Sequence, residues 1–200
     1  MKNIPKLLIF SRLIIGFIIL FLSFYTIPFY KEIIVTLLTI GLLTDIFDGI
    51  IARKLNVSNE TLRRLDSSID QIFFICVIAS SFIISPDFYK NNWISLSILI
   101  GFEILTYVIS FIKFKKEIAT HSIGAKFWTL LLFATLIQII LQGESSILYQ
   151  ICFWVGIVTR LEIIFIILIL KKWTNDVPSI FHAIKLRKGL PIKRNKLFNG

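Results

Sequence analysis

The sequence predicts an all-α integral membrane protein of six transmembrane helices, preceded by a short N-terminal interfacial segment. Three observations carry this prediction. The 200 residues are 56% hydrophobic and only 17% charged, with a mean hydropathy of +0.83, whereas water-soluble domains carry about a quarter charged residues. The apolar residues gather into runs close to the roughly 20 residues that a bilayer-spanning helix needs. The basic residues gather between alternate runs instead of spreading evenly. Backbone groups in lipid must be satisfied within the segment, and the runs do not alternate in polarity, which selects helices over a barrel.

Residues 1–12, MKNIPKLLIFSR, read as the interfacial entry segment, with Pro5 suited to a first helical turn. Arg12, at its end, is expected to snorkel to the headgroups. The spans are expected at 13–29, 33–51, 69–85, 93–112, 127–142 and 147–170, so that 13–170 form one membrane domain. No small-residue cleavage site follows the first run, which therefore reads as a retained span. Residues 171–200 form a basic tail, interrupted by Pro178 and Pro191.

Charge orients the spans. Lys2, Lys6 and Arg12 precede the first, and Arg53, Lys54, Arg63 and Arg64 fill the second connection. Lys113, Lys115, Lys116 and Lys126 mark the fourth, and the tail adds Lys171, Lys172, Lys185, Arg187, Lys188, Lys193, Arg194 and Lys196. The opposite side has only Lys31 and Lys90. The positive-inside bias places both termini in the cytoplasm. The net charge of +10 thus belongs to topology and anionic headgroups. No aromatic-plus-basic platform suggests nucleic acid.

Cys76 and Cys152 lie inside apolar runs, away from any metal-ligand spacing, and read as buried small hydrophobes. Glu103, Arg160 and Glu162 sit deep in spans four and six, where charges face the bundle interior and pair. Glu103 and Arg160 share a depth and are expected to form an ion pair. His121 and His182 are expected on the surface.

The stretch 42–74 reads LLTDIFDGIIARKLNVSNETLRRLDSSIDQIFF. Asp45 and Asp48 fall near the cytoplasmic end of span two, and Asp66 and Asp70 at the start of span three. At about 100° per residue, Asp45, Asp48, Gly49 and Ala52 share a stripe roughly 100° wide. Asp66 and Asp70 are i,i+4 neighbours. With a short connection between antiparallel helices, all four carboxylates can converge on one cytoplasm-facing cavity. Four such groups cannot stay ionised together without cations. Hard oxygen donors suit one or two Mg²⁺ or Mn²⁺ ions, which commonly clamp phosphates. Gly49 and Ala52 leave room near the backbone, and Arg53 can reach a phosphate.

These residues resemble the signature of the CDP-alcohol phosphatidyltransferase family, DxxDGxxARx8GxxxDxxxD. Every spacing is kept: Asp45, Asp48, Gly49, Ala52 and Arg53, then eight residues to Leu62, then three to Asp66 and three more to Asp70. Leu62 stands where the family has glycine. The resemblance implies transfer of a substituted phosphoryl group from a CDP-linked donor to an alcohol, releasing CMP. It implies two metal ions, Mg²⁺ or Mn²⁺, held by Asp45, Asp48, Asp66 and Asp70, with Asp70 also taking the acceptor's proton. Gly49, Ala52 and Arg53 would line the nucleotide site. It further implies a homodimer.

The membrane setting favours CDP-diacylglycerol as donor. Some family members carry a Gly-x-Lys element followed by Thr near the start of span five, and Gly124, Lys126 and Thr129 are similar. Lys126 as a phosphate contact would suit glycerol 3-phosphate or an inositol phosphate; an ordinary topological lysine is the other reading. Three alternatives stay open: a CDP-choline or CDP-ethanolamine transferase acting on diacylglycerol, a divalent-cation transporter, and an inactive relative. Carboxylates clustered at one face argue against the transporter. A chain without organelle signals suits a bacterial cytoplasmic membrane.

Overall fold

The computed structural model describes residues 4–192 apart from 56, 58, 117, 119–121 and 175, and no strand occurs among the described residues. His121, Lys2, Lys193, Arg194 and Lys196 lie outside the described residues. Six long helices are apolar enough to cross a membrane: α1 (Ile4–Leu22), α2 (Tyr30–Lys54), α3 (Glu60–Ile84), α5 (Trp93–Phe114), α6 (Ile123–Gln142) and α7 (Ile147–Ile169). Two short helices, α4 (Pro86–Asn91) and α8 (Ile180–Arg187), are added to the expected plan.

The largest correction is at the start. Residues 4–22 are one helix, so the expected span at 13–29 is displaced by about two turns. Pro28 limits how far this run can continue as helix. It donates no backbone hydrogen bond and pushes Ile27 away from helical geometry. The chain leaves α1 in tight turns, with Tyr25 N donating to Leu22 O at 3.1 Å. Phe29 then adopts left-handed backbone, φ 58°, at the entry to α2. Pro5 sits in the first turn of α1, where a missing N–H is tolerated.

The chain divides into two compact units. The first contains α1, α2, α3 and the segment Leu136–Glu144. Its helices close around Phe73 of α3, which is buried. A Cβ on Gly16 would meet Phe73 Cδ2 at 3.3 Å, and one on Gly41 would collide with the ring. Two missing side chains therefore let α1 and α2 approach the same aromatic ring. Toward the start of α1, Ile9, Ala52, Leu62 and Ile69 form a second buried layer. Ile9 packs in the layer of Ala52, and Gly16 in that of Gly41, so α1 and α2 are antiparallel; α3 is antiparallel to α2 by the same logic. At the far end Ser85 Oγ donates to Ile139 O at 3.0 Å.

The second unit contains α5, the start of α6, α7 and α8. Arg160 Nε pairs with Glu103, as expected, and the guanidinium lies 4.0 Å from the Trp128 ring centroid. Trp128 Nε1 donates to Cys152 O at 3.0 Å. A Cβ on Gly156 would stand 2.6 Å from that same Nε1, so glycine makes room for the indole. Lys113 Nζ donates to Ile167 O and Leu168 O at 3.0 and 2.7 Å, satisfying carbonyls at the end of α7. Past α7, Val177 and Ala183 pack on Ile166 and Leu170, so part of the basic tail folds back as a helix. His182 is half-buried, its Nδ1 2.9 Å from Ser179 Oγ. Cys76 and Cys152 are free and buried.

Candidate active site

Between the two apolar layers of the first unit lies a layer of charge. The buried face of α1 runs Pro5, Ile9, Arg12, Gly16, Ile19, at alternating spacings of four and three. This is the inward stripe of a packed helix, and Arg12 is part of it. On α2 the corresponding level holds Asp45 and Asp48, between Gly41 and Ala52. On α3 it holds Asp66 and Asp70, between Leu62 and Phe73. The Asn59 side chain accepts from Leu62 N at 2.8 Å and caps α3, fixing its start ahead of Asp66. At 1.5 Å per residue, the charge layer lies about 9–15 Å inside the helix ends at Ile4, Lys54 and Glu60.

All four aspartates predicted from the sequence come together, and they do so around Arg12. Its Nη1 donates to Asp45 Oδ1 at 2.6 Å and also pairs with Asp70. Its Nη2 donates to Asp48 and, at 2.9 Å, to Asp66 Oδ1. Three of the four carboxylates accept hydrogen bonds from the Nη atoms, and the fourth, Asp70, is ion-paired with Nη1. The remaining donor, Nε–H, is buried without a hydrogen-bond partner among the described residues. Arg12 is 1% exposed. The expectation that it snorkels to the headgroups is therefore corrected: its helix begins eight residues earlier, which carries it into the protein interior.

The carboxylates differ in depth. The Asp48 side chain is 3% exposed and forms the floor, whereas those of Asp45, Asp66 and Asp70 are 39%, 31% and 31% exposed. Asp45, Asp48 and Asp66 each offer an oxygen within 4.8 Å of the others. With all four ionised, one guanidinium leaves three negative charges in an apolar setting. Hard, anionic, closely spaced oxygens of this kind fit a divalent cation such as Mg²⁺ or Mn²⁺.

Gly49 faces open space apart from Arg53, whose Nη atoms would stand 3.5 Å from a Cβ there. Gly49 and Arg53 thus share one surface beside the aspartates. Ala52 is buried under Ile9, Leu62 and Ile69. Leu62, at the glycine position of the signature, is 8% exposed and fills that layer. It lies in regular helix, so no left-handed backbone calls for glycine there.

Lys126 is exposed in the first turn of α6, in the second unit. A Cβ on Gly124 would meet Glu162 Oε2 at 2.8 Å, and Thr129 Oγ1 donates to Ala125 O at 3.0 Å. Glycine at 124 therefore gives the Glu162 carboxylate its place. Arg12 is the site residue that sequence reasoning missed. The signal was the four-three spacing of Ile9, Arg12, Gly16 and Ile19, hidden once the span was started at residue 13.

Comparisons with known proteins agree with the signature. The sequence profile described as CDP-alcohol phosphatidyltransferase matches residues 2–173. A CDP-diacylglycerol–glycerol-3-phosphate 3-phosphatidyltransferase of Aquifex aeolicus (strain VF5) is 30% identical over 183 residues, covering 91% of this chain and 98% of that protein. No solved structure matches.

Proposed function

This chain belongs to the CDP-alcohol phosphatidyltransferase family, and we propose that it transfers the phosphatidyl group of CDP-diacylglycerol to glycerol 3-phosphate, releasing CMP. The convergence of Asp45, Asp48, Asp66 and Asp70 on one point carries this reading. The similarity to the Aquifex enzyme supports the choice of donor and acceptor. An acceptor hydroxyl oxygen attacks the phosphatidyl phosphorus, the bond from that phosphorus to the CMP oxygen breaks, and the hydroxyl proton leaves to a carboxylate.

The four aspartates are the proposed metal ligands, and their hard oxygen donors suit two Mg²⁺ or Mn²⁺ ions. Such ions, when bound, supply neutralisation of the pyrophosphate and stabilise both the attacking and the leaving oxygens. Asp70, on the partly open rim, takes the proton of the acceptor hydroxyl. Gly49 offers open backbone on which a nucleotide can rest, and Arg53 beside it supplies positive charge for a phosphate. Ala52 keeps the layer beneath small enough for α1 and α3 to close on α2. Lys126 is the proposed contact for the acceptor phosphate. The lipid tails stay in the bilayer while the pyrophosphate reaches the charge layer. A homodimer in a bacterial cytoplasmic membrane, with both termini inside, belongs to the same proposal.

The test is CMP release by the purified protein in detergent with CDP-diacylglycerol, Mg²⁺ or Mn²⁺, and a panel of acceptors. Release with glycerol 3-phosphate, and not with inositol phosphate or serine, is expected. Asp70→Asn should lower the rate by roughly 10²–10⁴, the usual weight of a positioned general base. Release with a different acceptor would replace the substrate; full activity in Asp70→Asn would remove the assigned base.

A further inference from the structure

Arg12 is not among the signature residues, yet it makes more ionic contacts than any other described side chain of the first unit. A guanidinium 1% exposed, hydrogen-bonded to three carboxylates and ion-paired with a fourth, is no incidental surface pair. It stands where the carboxylates point. Any cation that takes these oxygens as ligands has to take them from Arg12. A guanidinium and a metal ion cannot share them, because like charges at contact distance repel strongly in a low-dielectric setting.

We propose that Arg12 is a built-in competitor for the cation site and a positioning residue for the donor. Metal loading requires the guanidinium to give up its pairs with the aspartates, and it then takes an anionic oxygen of the pyrophosphate of the CDP-linked donor. This inference rests on the metal and donor assignments of the proposed function.

The second half follows from confinement. Arg12 is flanked along α1 by Ile9 and Gly16, which pack against the apolar layers of Ala52, Leu62 and Ile69 on one side and Phe73 on the other. A guanidinium released there has no second acidic cluster on α1 to turn to, since this helix contains no acidic residue. An unpaired buried cation is costly. The anion that arrives at the same place is the donor's pyrophosphate, for which a planar fork of N–H groups is well matched. Its Nε–H, without a partner among the described residues, is a further donor for that anion. Metal and donor then favour each other. Either alone leaves a charge unpaired, and both together satisfy the aspartates and Arg12 at once. Coupling of this kind is reciprocal.

The experiment is Mn²⁺ binding by electron paramagnetic resonance on the full chain in detergent, with and without CDP. Wild type, Arg12→Gln and Arg12→Lys are compared, with Asp66→Asn as the site control. Without CDP, Arg12→Gln should bind Mn²⁺ about tenfold more tightly than wild type or better, as expected when a competitor loses even one charge-assisted hydrogen bond. Arg12→Lys, with three donors for four carboxylates, should fall between. CDP should tighten Mn²⁺ binding more in wild type than in Arg12→Gln. Unchanged or weaker Mn²⁺ binding in Arg12→Gln, with Asp66→Asn abolishing it, would overturn the inference and leave the metal assignment standing. No Mn²⁺ binding in any of these proteins would overturn both. If neither Arg12 variant folds, the wild-type protein decides. Modification of Arg12 by phenylglyoxal, mapped by mass spectrometry, should rise with Mn²⁺ and fall again with Mn²⁺ and CDP. Labelling indifferent to Mn²⁺ would overturn the inference.

Discussion

At the scale of single residues, two arginines in apolar helices show two uses of one side chain. Arg12 holds four carboxylates and its environment stays strongly anionic. Arg160 is 8% exposed and is balanced by one carboxylate, Glu103, with the Trp128 ring beneath its guanidinium. The first arrangement sets one cation against four carboxylates; the second pairs one cation with one carboxylate. Glu103→Gln should therefore lower stability by about 1–3 kcal/mol, the usual cost of leaving a partner unsatisfied, read as a lower thermal transition in detergent. Arg160→Lys should not preserve stability, because an ammonium keeps the charge and loses the planar stacking on Trp128. Loss of CMP release beyond the loss of folded protein in Glu103→Gln would instead assign this pair to acceptor binding. The pairing of Glu103 with Arg160 was legible from their common depth. The role of Arg12 was not, because a span starting at residue 13 leaves Arg12 outside the membrane, while its partners lie 33 to 58 residues away on α2 and α3.

At the scale of elements, α1, α2 and α3 form a stack of layers: apolar, charged, then aromatic. Small residues set its spacing, with Gly16 and Gly41 admitting Phe73 and Ala52 lying under Ile9. Leu62 belongs to this construction. Its departure from the family glycine is compensated by burial against Ile9, Ala52 and Ile69, so it strengthens the start of α3 without touching the aspartates. Leu62→Gly should thus cost roughly 3 kcal/mol, from lost burial and from the poor helix propensity of glycine. Thermal unfolding would read that loss, and CMP release below the transition should persist. A stability unchanged by the substitution would mean that Leu62 packs against nothing of consequence. The start of α3 was not legible: hydropathy placed it at residue 69, whereas the Asn59 cap starts the helix at Glu60, ahead of the charged turn that carries Arg64 and Asp66. The first helix was misplaced because its apolar run continues past Leu22, and only Pro28 marks the break.

At the scale of the whole molecule, six apolar helices and family membership make this an integral multi-pass membrane protein. The positive-inside bias gives an expected orientation. Lys54 and Lys115 are exposed at connections expected in the cytoplasm, and Lys90 is exposed on the opposite side of the charge pattern. Native thiols interfere little, since Cys76 and Cys152 are buried. A membrane-impermeant maleimide should label Lys90→Cys in right-side-out vesicles, and Lys54→Cys and Lys115→Cys only in inverted ones. The reverse pattern would turn the protein over and place its charge layer toward the outside.

The sequence by itself determined the class and the span count and pointed to the four aspartates, because these depend on composition and on spacings within a single segment. Hydropathy is a sum over neighbours, and the signature spans only residues 45–70. Only the tertiary structure decided what stands at the focus of those aspartates. Arg12 reaches them across three helices, and its place depends on where α1 begins and on how closely Gly16 and Gly41 let the helices approach. Those are properties of packing between distant segments, where a displacement of two turns moves a charge from the lipid headgroups to the centre of the site.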